Sequence, residues 1–113
     1  MEKLYDLEEF EALAMGDQEF MRELLAANVE SIGQGIELIT AAYAAGDYDT
    51  MGKEAHKIKP LLAMLKAGDI HKSVVDMEYY SRKEINLDIV HNAYPVFAAK
   101  APVLLQQLKE LIA

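Results

Sequence analysis

Three Gly-Asp pairs, Gly16-Asp17, Gly46-Asp47 and Gly68-Asp69, punctuate a chain in which apolar residues otherwise recur every three or four positions. That period belongs to helices with one face turned to a core. Each pair reads as a stop followed by a start. Glycine tolerates the left-handed backbone that ends a helix, and aspartate accepts free N–H groups of the next first turn while its charge suits the helix dipole. The fold class is therefore all-α.

The pattern predicts helices over residues 7–15, 17 or 18 to 45, 48–65, 70–81 and 87–112, with a connector at 82–86. The second helix places Met21, Leu25, Ile32, Ile36, Ile39 and Tyr43 on one face, and Gly33 and Gly35 make a weak point within it. The third carries the cleanest seam, formed by Tyr48, Met51, Ala55, Ile58, Leu62 and Leu65. Ile70, Val74 and Met77 face inward from the fourth. The last repeats the pattern with Val90, Tyr94, Phe97, Ala101, Leu104, Leu108 and Leu111.

Short connectors favour antiparallel neighbours, so the expected architecture is an antiparallel up-and-down four-helix bundle with the short N-terminal helix capping one end. Pro95 and Pro102 fall inside the last helical pattern and Pro60 inside the third. Each removes a backbone donor and frees the carbonyl four residues earlier, which predicts kinks or breaks.

With 113 residues the chain fits one domain, able to bury roughly two thirds of its unfolded surface. The absence of cysteine removes disulfides, thiol nucleophiles and thiolate metal sites together. Residues 1–10 carry four acids and no cationic run followed by an apolar one, unlike a signal peptide. No apolar run approaches the roughly 18 residues of a membrane span. A cytoplasmic protein without direct membrane insertion is expected.

The formal charge is −8. Phosphate backbones select clustered Lys and Arg, so an acidic chain is not expected to bind nucleic acid. The charge is unevenly spread. Between Lys53 and Lys72 five lysines stand against two acids, whereas the remainder sets six basic against seventeen acidic residues. The basic segment surrounds His56.

His56 follows Ala55 of the buried seam and so points about 100° away from its centre. Lys53, His56 and Lys59 then form one row, and Gly52 and Ala63 leave little bulk beside it. An ordinary imidazole is mostly neutral near neutral pH, so a ring nitrogen can attack phosphorus. No dedicated base is visible near it in the sequence. After transfer, Lys59, with Lys53 as electrostatic support, can offset the phosphoryl charge by charge-assisted hydrogen bonds. Nothing here would draw phosphate from ATP, because there is no GxxxxGK[ST] loop or other nucleotide motif.

Other site chemistries find less support. His71 and His91 read as surface or bundle-edge residues, and Asp88 with His91 makes one i, i+3 pair where a bundle di-metal site needs several. Ser31, Ser73 and Ser81 lie in helical patterns without a nucleophile elbow. Methionines and tyrosines read as core filler and amphipathic edge residues. No metal or cofactor is expected in this chain.

The segment Ala41-Ala42-Tyr43-Ala44-Ala45-Gly46-Asp47-Tyr48, followed by Ala55-His56-Lys57-Ile58-Lys59, resembles the histidine-containing phosphotransfer (HPt) domain of multistep two-component phosphorelays. That family places a Gly-Asp turn shortly before an A-H-x-L/I-K signature. Asp17-Gln18-Glu19-Phe20 and Met77-Glu78-Tyr79-Tyr80 also stand where it tends to have a D-x-x-F start and an L-E pair, so the resemblance spans nearly the whole chain. It implies that His56 accepts a phosphoryl group from the aspartate of one receiver domain and passes it to another.

The implied partners are response-regulator receiver domains, including that of a hybrid sensor histidine kinase, which would supply the acidic pocket and the Mg²⁺. The carrier itself would be a monomer without kinase activity, docking through Gly52, Lys57, Pro60 and Ala63. The family usually continues its signature as K-G-S/A-S/A with a further glycine beyond, where this chain has Pro60-Leu61-Leu62 and Lys66. The H-E/D-x-R/K context of dimerising histidine kinases is absent, since Lys57 follows His56. The alternative is a helical docking module that binds a receiver or another signalling partner without turning over phosphate.

Overall fold

The computed structural model describes residues 2–113. It contains five helices: α1 (Glu8–Ala14), α2 (Gln18–Ala45), α3 (Tyr48–Met64), α4 (Gly68–Lys83) and α5 (Leu87–Ile112). No strand occurs among the described residues. Two of the Gly-Asp pairs act as expected. Asp17 accepts from the Phe20 N–H at 3.0 Å and Asp47 from the Thr50 N–H at 3.1 Å, each satisfying a first-turn donor of the helix it opens. Gly46 ends α2 in the left-handed region at φ 68°.

The third pair behaves differently. Lys66 turns the chain after α3, at φ 52°, and α4 already begins at Gly68. Asp69 thus lies within the first turn, and its carboxylate pairs with Lys100 of α5 at 2.6 Å instead of capping. The helix also continues through Lys83, which absorbs part of the expected connector.

Packing follows the apolar seams. α2 packs on α3 and α5, and α4 packs on the same two helices, so these four form a closed ring of neighbours; α1 packs on α2. Met51, Ala55, Ile58, Leu62 and Leu65 are all buried, as are Ile70, Val74 and Met77 of α4. From α5 the core takes Val90, Phe97, Ala101, Leu104 and Leu108. Leu111, predicted to face inward, is 42% exposed, because the last turn packs Ile112 on the core in its place.

α2 runs unbroken through Gly33 and Gly35. Gly35 lets α3 approach: a Cβ there would lie 2.6 Å from Ile58 Cγ2. The prolines do not break helices either. Pro60 lies within α3, and Pro95 and Pro102 within α5. All three are exposed, where water can satisfy the carbonyls they free.

The segment before α1 is tied down by backbone bonds. Both amide atoms of Gln107 bind it, through the Leu4 N–H at 2.9 Å and the Glu2 carbonyl at 2.7 Å, and the Asp6 N–H donates to the Leu65 carbonyl at 2.8 Å. With Phe10 fully buried, this anchors α1 beside α3.

Candidate functional site

His56 follows fully buried Ala55 on α3, and its own side chain is 61% exposed. Glu78 follows fully buried Met77 on α4, but its side chain is only 10% exposed, because α3 packs over it. Each residue comes one step after a seam position and so leans off the core toward the crevice between the helices. There they meet. His56 Nδ1 lies 2.5 Å from Glu78 Oε2.

The bond determines the imidazole tautomer. A carboxylate only accepts, so Nδ1 carries the proton and donates it, and in the neutral ring the lone pair sits on Nε2. With the ring mostly exposed, Nε2 is the nitrogen presented to solvent. A partner atom arriving from outside meets an oriented nucleophile.

Lys59, one turn along α3 from His56, pairs with the other oxygen of the same carboxylate, Oε1. Burial pushes the Glu78 carboxyl up, but hydrogen bonds and charge from Lys59 and His56 outweigh it and hold the group below its ordinary value. Glu78 is therefore ionised. Arg82, one turn on from Glu78, brings its guanidinium to 3.6 Å from Oε2.

Glu78, placed by the sequence only within the Met77-Glu78-Tyr79-Tyr80 stretch, is the carboxylate that His56 meets. Its signal was faint but present: a glutamate one position past a seam residue, the same offset that singles out His56. What the pattern lacks is the register between α3 and α4, which decides whether the two meet.

Other residues of the predicted site are placed as follows. Gly52 is buried beneath Arg82: a Cβ on it would collide with Arg82 Cγ and lie 3.3 Å from Cδ. Its missing side chain makes room for α4, not for an incoming partner. Lys53 pairs with Asp49 at 2.9 Å and does not join Lys59 at His56. Lys57 is exposed and pairs with Glu54 at 3.0 Å. Pro60 and Ala63 are exposed and, with Ala12, Leu13 and Met64, line an open groove of about 580 Å³ between α1 and α3. Leu13, 54% exposed, is its main apolar wall.

The basic segment of the sequence is not a free basic patch in space. Each of its five lysines is paired: Lys53 with Asp49, Lys57 with Glu54, Lys59 with Glu78, Lys66 with Glu8 and Lys72 with Asp76. Four of the five partners lie outside the segment, so a window of sequence could not count them.

His91 belongs to another cluster, with its Nδ1 2.8 Å from the Tyr43 hydroxyl and its Nε2 3.4 Å from that of Tyr48. Tyr43 in turn stacks on Tyr94 at 3.8 Å between centroids. Among the described residues no three His, Cys, Asp or Glu side chains gather as a metal site would need, and no helix is long and apolar enough to cross a membrane.

No protein-family model, curated protein or solved structure matches this chain.

Proposed function

We propose that this protein is a phosphorelay carrier of the HPt type, which accepts a phosphoryl group on His56 from a receiver-domain aspartate and passes it to a second receiver. The observation that carries the reading is the pairing of His56 Nδ1 with the ionised Glu78, which leaves Nε2 facing outward with its lone pair free. A histidine that only met solvent would have no need of a nearly buried carboxylate, whose desolvation costs stability unless it is offset.

The transfer follows from that arrangement. Nε2 attacks the phosphorus of the aspartyl phosphate, the bond between phosphorus and the aspartyl oxygen breaks, and the aspartate leaves as a carboxylate. The proton stays on Nδ1. The phosphorylated ring then carries a positive charge that the facing Glu78 carboxylate balances. In the second half-reaction the carboxylate of the next receiver attacks phosphorus, the N–P bond breaks, and the ring returns to the neutral tautomer in which it began. Lys59, one helical turn from His56 and paired with the same carboxylate, would turn from Glu78 to the phosphoryl oxygens.

In this reading α2 to α5 are an antiparallel up-and-down four-helix bundle capped by α1, and the carrier works as a monomer in the cytoplasm. Its partners are receiver domains of response regulators or of a hybrid sensor histidine kinase. These provide the acidic pocket and Mg²⁺, so the chain needs no cofactor of its own. Pro60, Ala63 and the groove they share with Leu13 offer such a partner a largely apolar approach with Glu9 at its edge.

Incubation with a phosphorylated receiver domain tests the proposal, with His56→Gln as control. Acid-labile phosphate should appear on the wild-type chain and not on the variant. Label that persists in His56→Gln, or that no receiver from the same organism delivers, overturns the carrier and leaves a docking module.

A further inference from the structure

Glu78 faces three cationic or proton-donating groups but has only two oxygens. Lys59 takes Oε1, His56 Nδ1 takes Oε2, and Arg82 stands 3.6 Å from Oε2, beyond a tight ion pair. The Arg82 stem packs over α3 at Gly52, where any Cβ would collide with it. The neighbouring cation, Lys83, lies over the Tyr79 ring at 5.3 Å from its centroid and makes no ion pair with Glu78. An open cavity of about 430 Å³, lined by Lys59, Val75, Glu78, Tyr79, Arg82 and Lys83, leaves both Lys59 and Arg82 room to move.

We propose that Arg82 is a positioning residue, a reserve counter-ion that closes on Glu78 when Lys59 turns to a phosphoryl group on His56. A nearly buried carboxylate is costly without a compensating cation, and an ammonium drawn to the phosphoryl oxygens leaves Oε1 exposed to that cost. Arg82 can take its place, since it starts one helical turn from Glu78 and a guanidinium can engage both oxygens of a carboxylate. Glu78 thus stays ionised and aimed at Nδ1 through both halves of the transfer. Gly52 serves the same end by keeping the path of the Arg82 stem clear. The occasion for the exchange rests on the carrier reading above, whereas the exchange itself does not.

Substitution of Lys59 imitates its departure without any phosphate. The titration midpoint of the Glu78 carboxyl, followed by carbon-detected NMR on the full chain, is compared in wild type, Lys59→Gln, Arg82→Gln and the double variant. Glutamine keeps the stem over Gly52, and both sites are on the surface, so folding is preserved. Arg82→Gln alone should move the midpoint little, and the double variant should raise it by about half a pH unit more than the two single effects combined. Arg82→Lys in the Lys59→Gln background should cancel most of that rise. Additive single effects overturn the proposal, because Arg82 is then a spectator in the absence of Lys59.

A second arm uses phosphoramidate as the phosphoryl donor. Arg82→Gln should slow phosphorylation of His56 about threefold and have no further effect in Glu78→Gln. Equal slowing in both backgrounds overturns the proposal, since Arg82 would then act without Glu78. A wild-type chain that takes no phosphoryl group from phosphoramidate or from any receiver defeats the carrier reading, while the titration arm still decides the role of Arg82.

Discussion

His56 Nδ1 and Glu78 Oε2 lie 2.5 Å apart, joining residues 22 positions apart in sequence across the α3–α4 crevice. The pair gives an exposed imidazole a defined tautomer, with the proton on Nδ1 and the lone pair on Nε2. Four expectations follow from it and from the helices that hold it.

Glu78→Gln keeps an acceptor for the Nδ1 proton but removes the charge that balances a phosphorylated ring. Hydrogen bonds to charged groups contribute about 1.5–3 kcal/mol, so phosphorylation of His56 should slow by about tenfold to a hundredfold. Helical circular dichroism should not change. Phosphorylation at the wild-type rate would remove Glu78 from the mechanism.

Lys59 pairs with Glu78, and in the proposed carrier it would turn to the phosphoryl group after transfer. Lys59→Ala should therefore slow transfer or shorten the lifetime of the phosphohistidine by about tenfold, with helicity unchanged. Rapid-quench transfer assays and decay of the isolated phosphoprotein separate the two effects. Unaltered kinetics in both would exclude Lys59 from the site.

Burial raises the Glu78 carboxyl, but Lys59 and His56 more than compensate, so its folded value lies below the ordinary 4.5. A depressed carboxyl stabilises the fold above its unfolded value, and that contribution is lost as pH falls through the folded one. The midpoint of urea unfolding should therefore drop as pH is lowered through 4.5 and beyond. In Glu78→Gln this part of the profile should flatten. An identical acid slope in the two proteins would show that Glu78 contributes nothing to it.

Gly33 and Gly35 sit two positions apart on α2 and should respond in opposite ways to alanine. At Gly33 the nearest atom to a new Cβ is Leu105 Cδ2 at 3.7 Å, an ordinary contact, so Gly33→Ala should stabilise by about 0.5–1 kcal/mol through helix propensity. At Gly35 the Cβ would come within 2.6 Å of a methyl of buried Ile58, and overpacking of this kind costs about 1–3 kcal/mol. Gly35→Ala should therefore destabilise on balance. Chemical denaturation of both variants checks the sign, and stabilisation at Gly35 would mean that Ile58 yields easily.

Much of this protein was legible before its helices were assembled. The spacing of Met51, Ala55, Ile58, Leu62 and Leu65 is a local property, and helix periodicity carries it directly to a buried face. Asp17 and Asp47 could be recognised as caps because capping reaches only three residues ahead. Gly68-Asp69 looked the same locally, yet Lys100, 31 positions away from Asp69, drew that carboxylate into an ion pair. Pro95 and Pro102 do not break α5, since the cost of a proline depends on whether the freed carbonyl reaches water.

By itself, the sequence determined five helices, the faces they bury and the outward lean of His56, because all of these depend on residues within a turn or two. Only the tertiary structure decided what His56 meets. Glu78 as its partner, Arg82 as the cover of Gly52 and the neutralisation of the lysine segment all depend on the register and separation of α3 and α4. That register is set by how whole seams interlock across the core, a sum over many contacts that no short stretch of sequence carries.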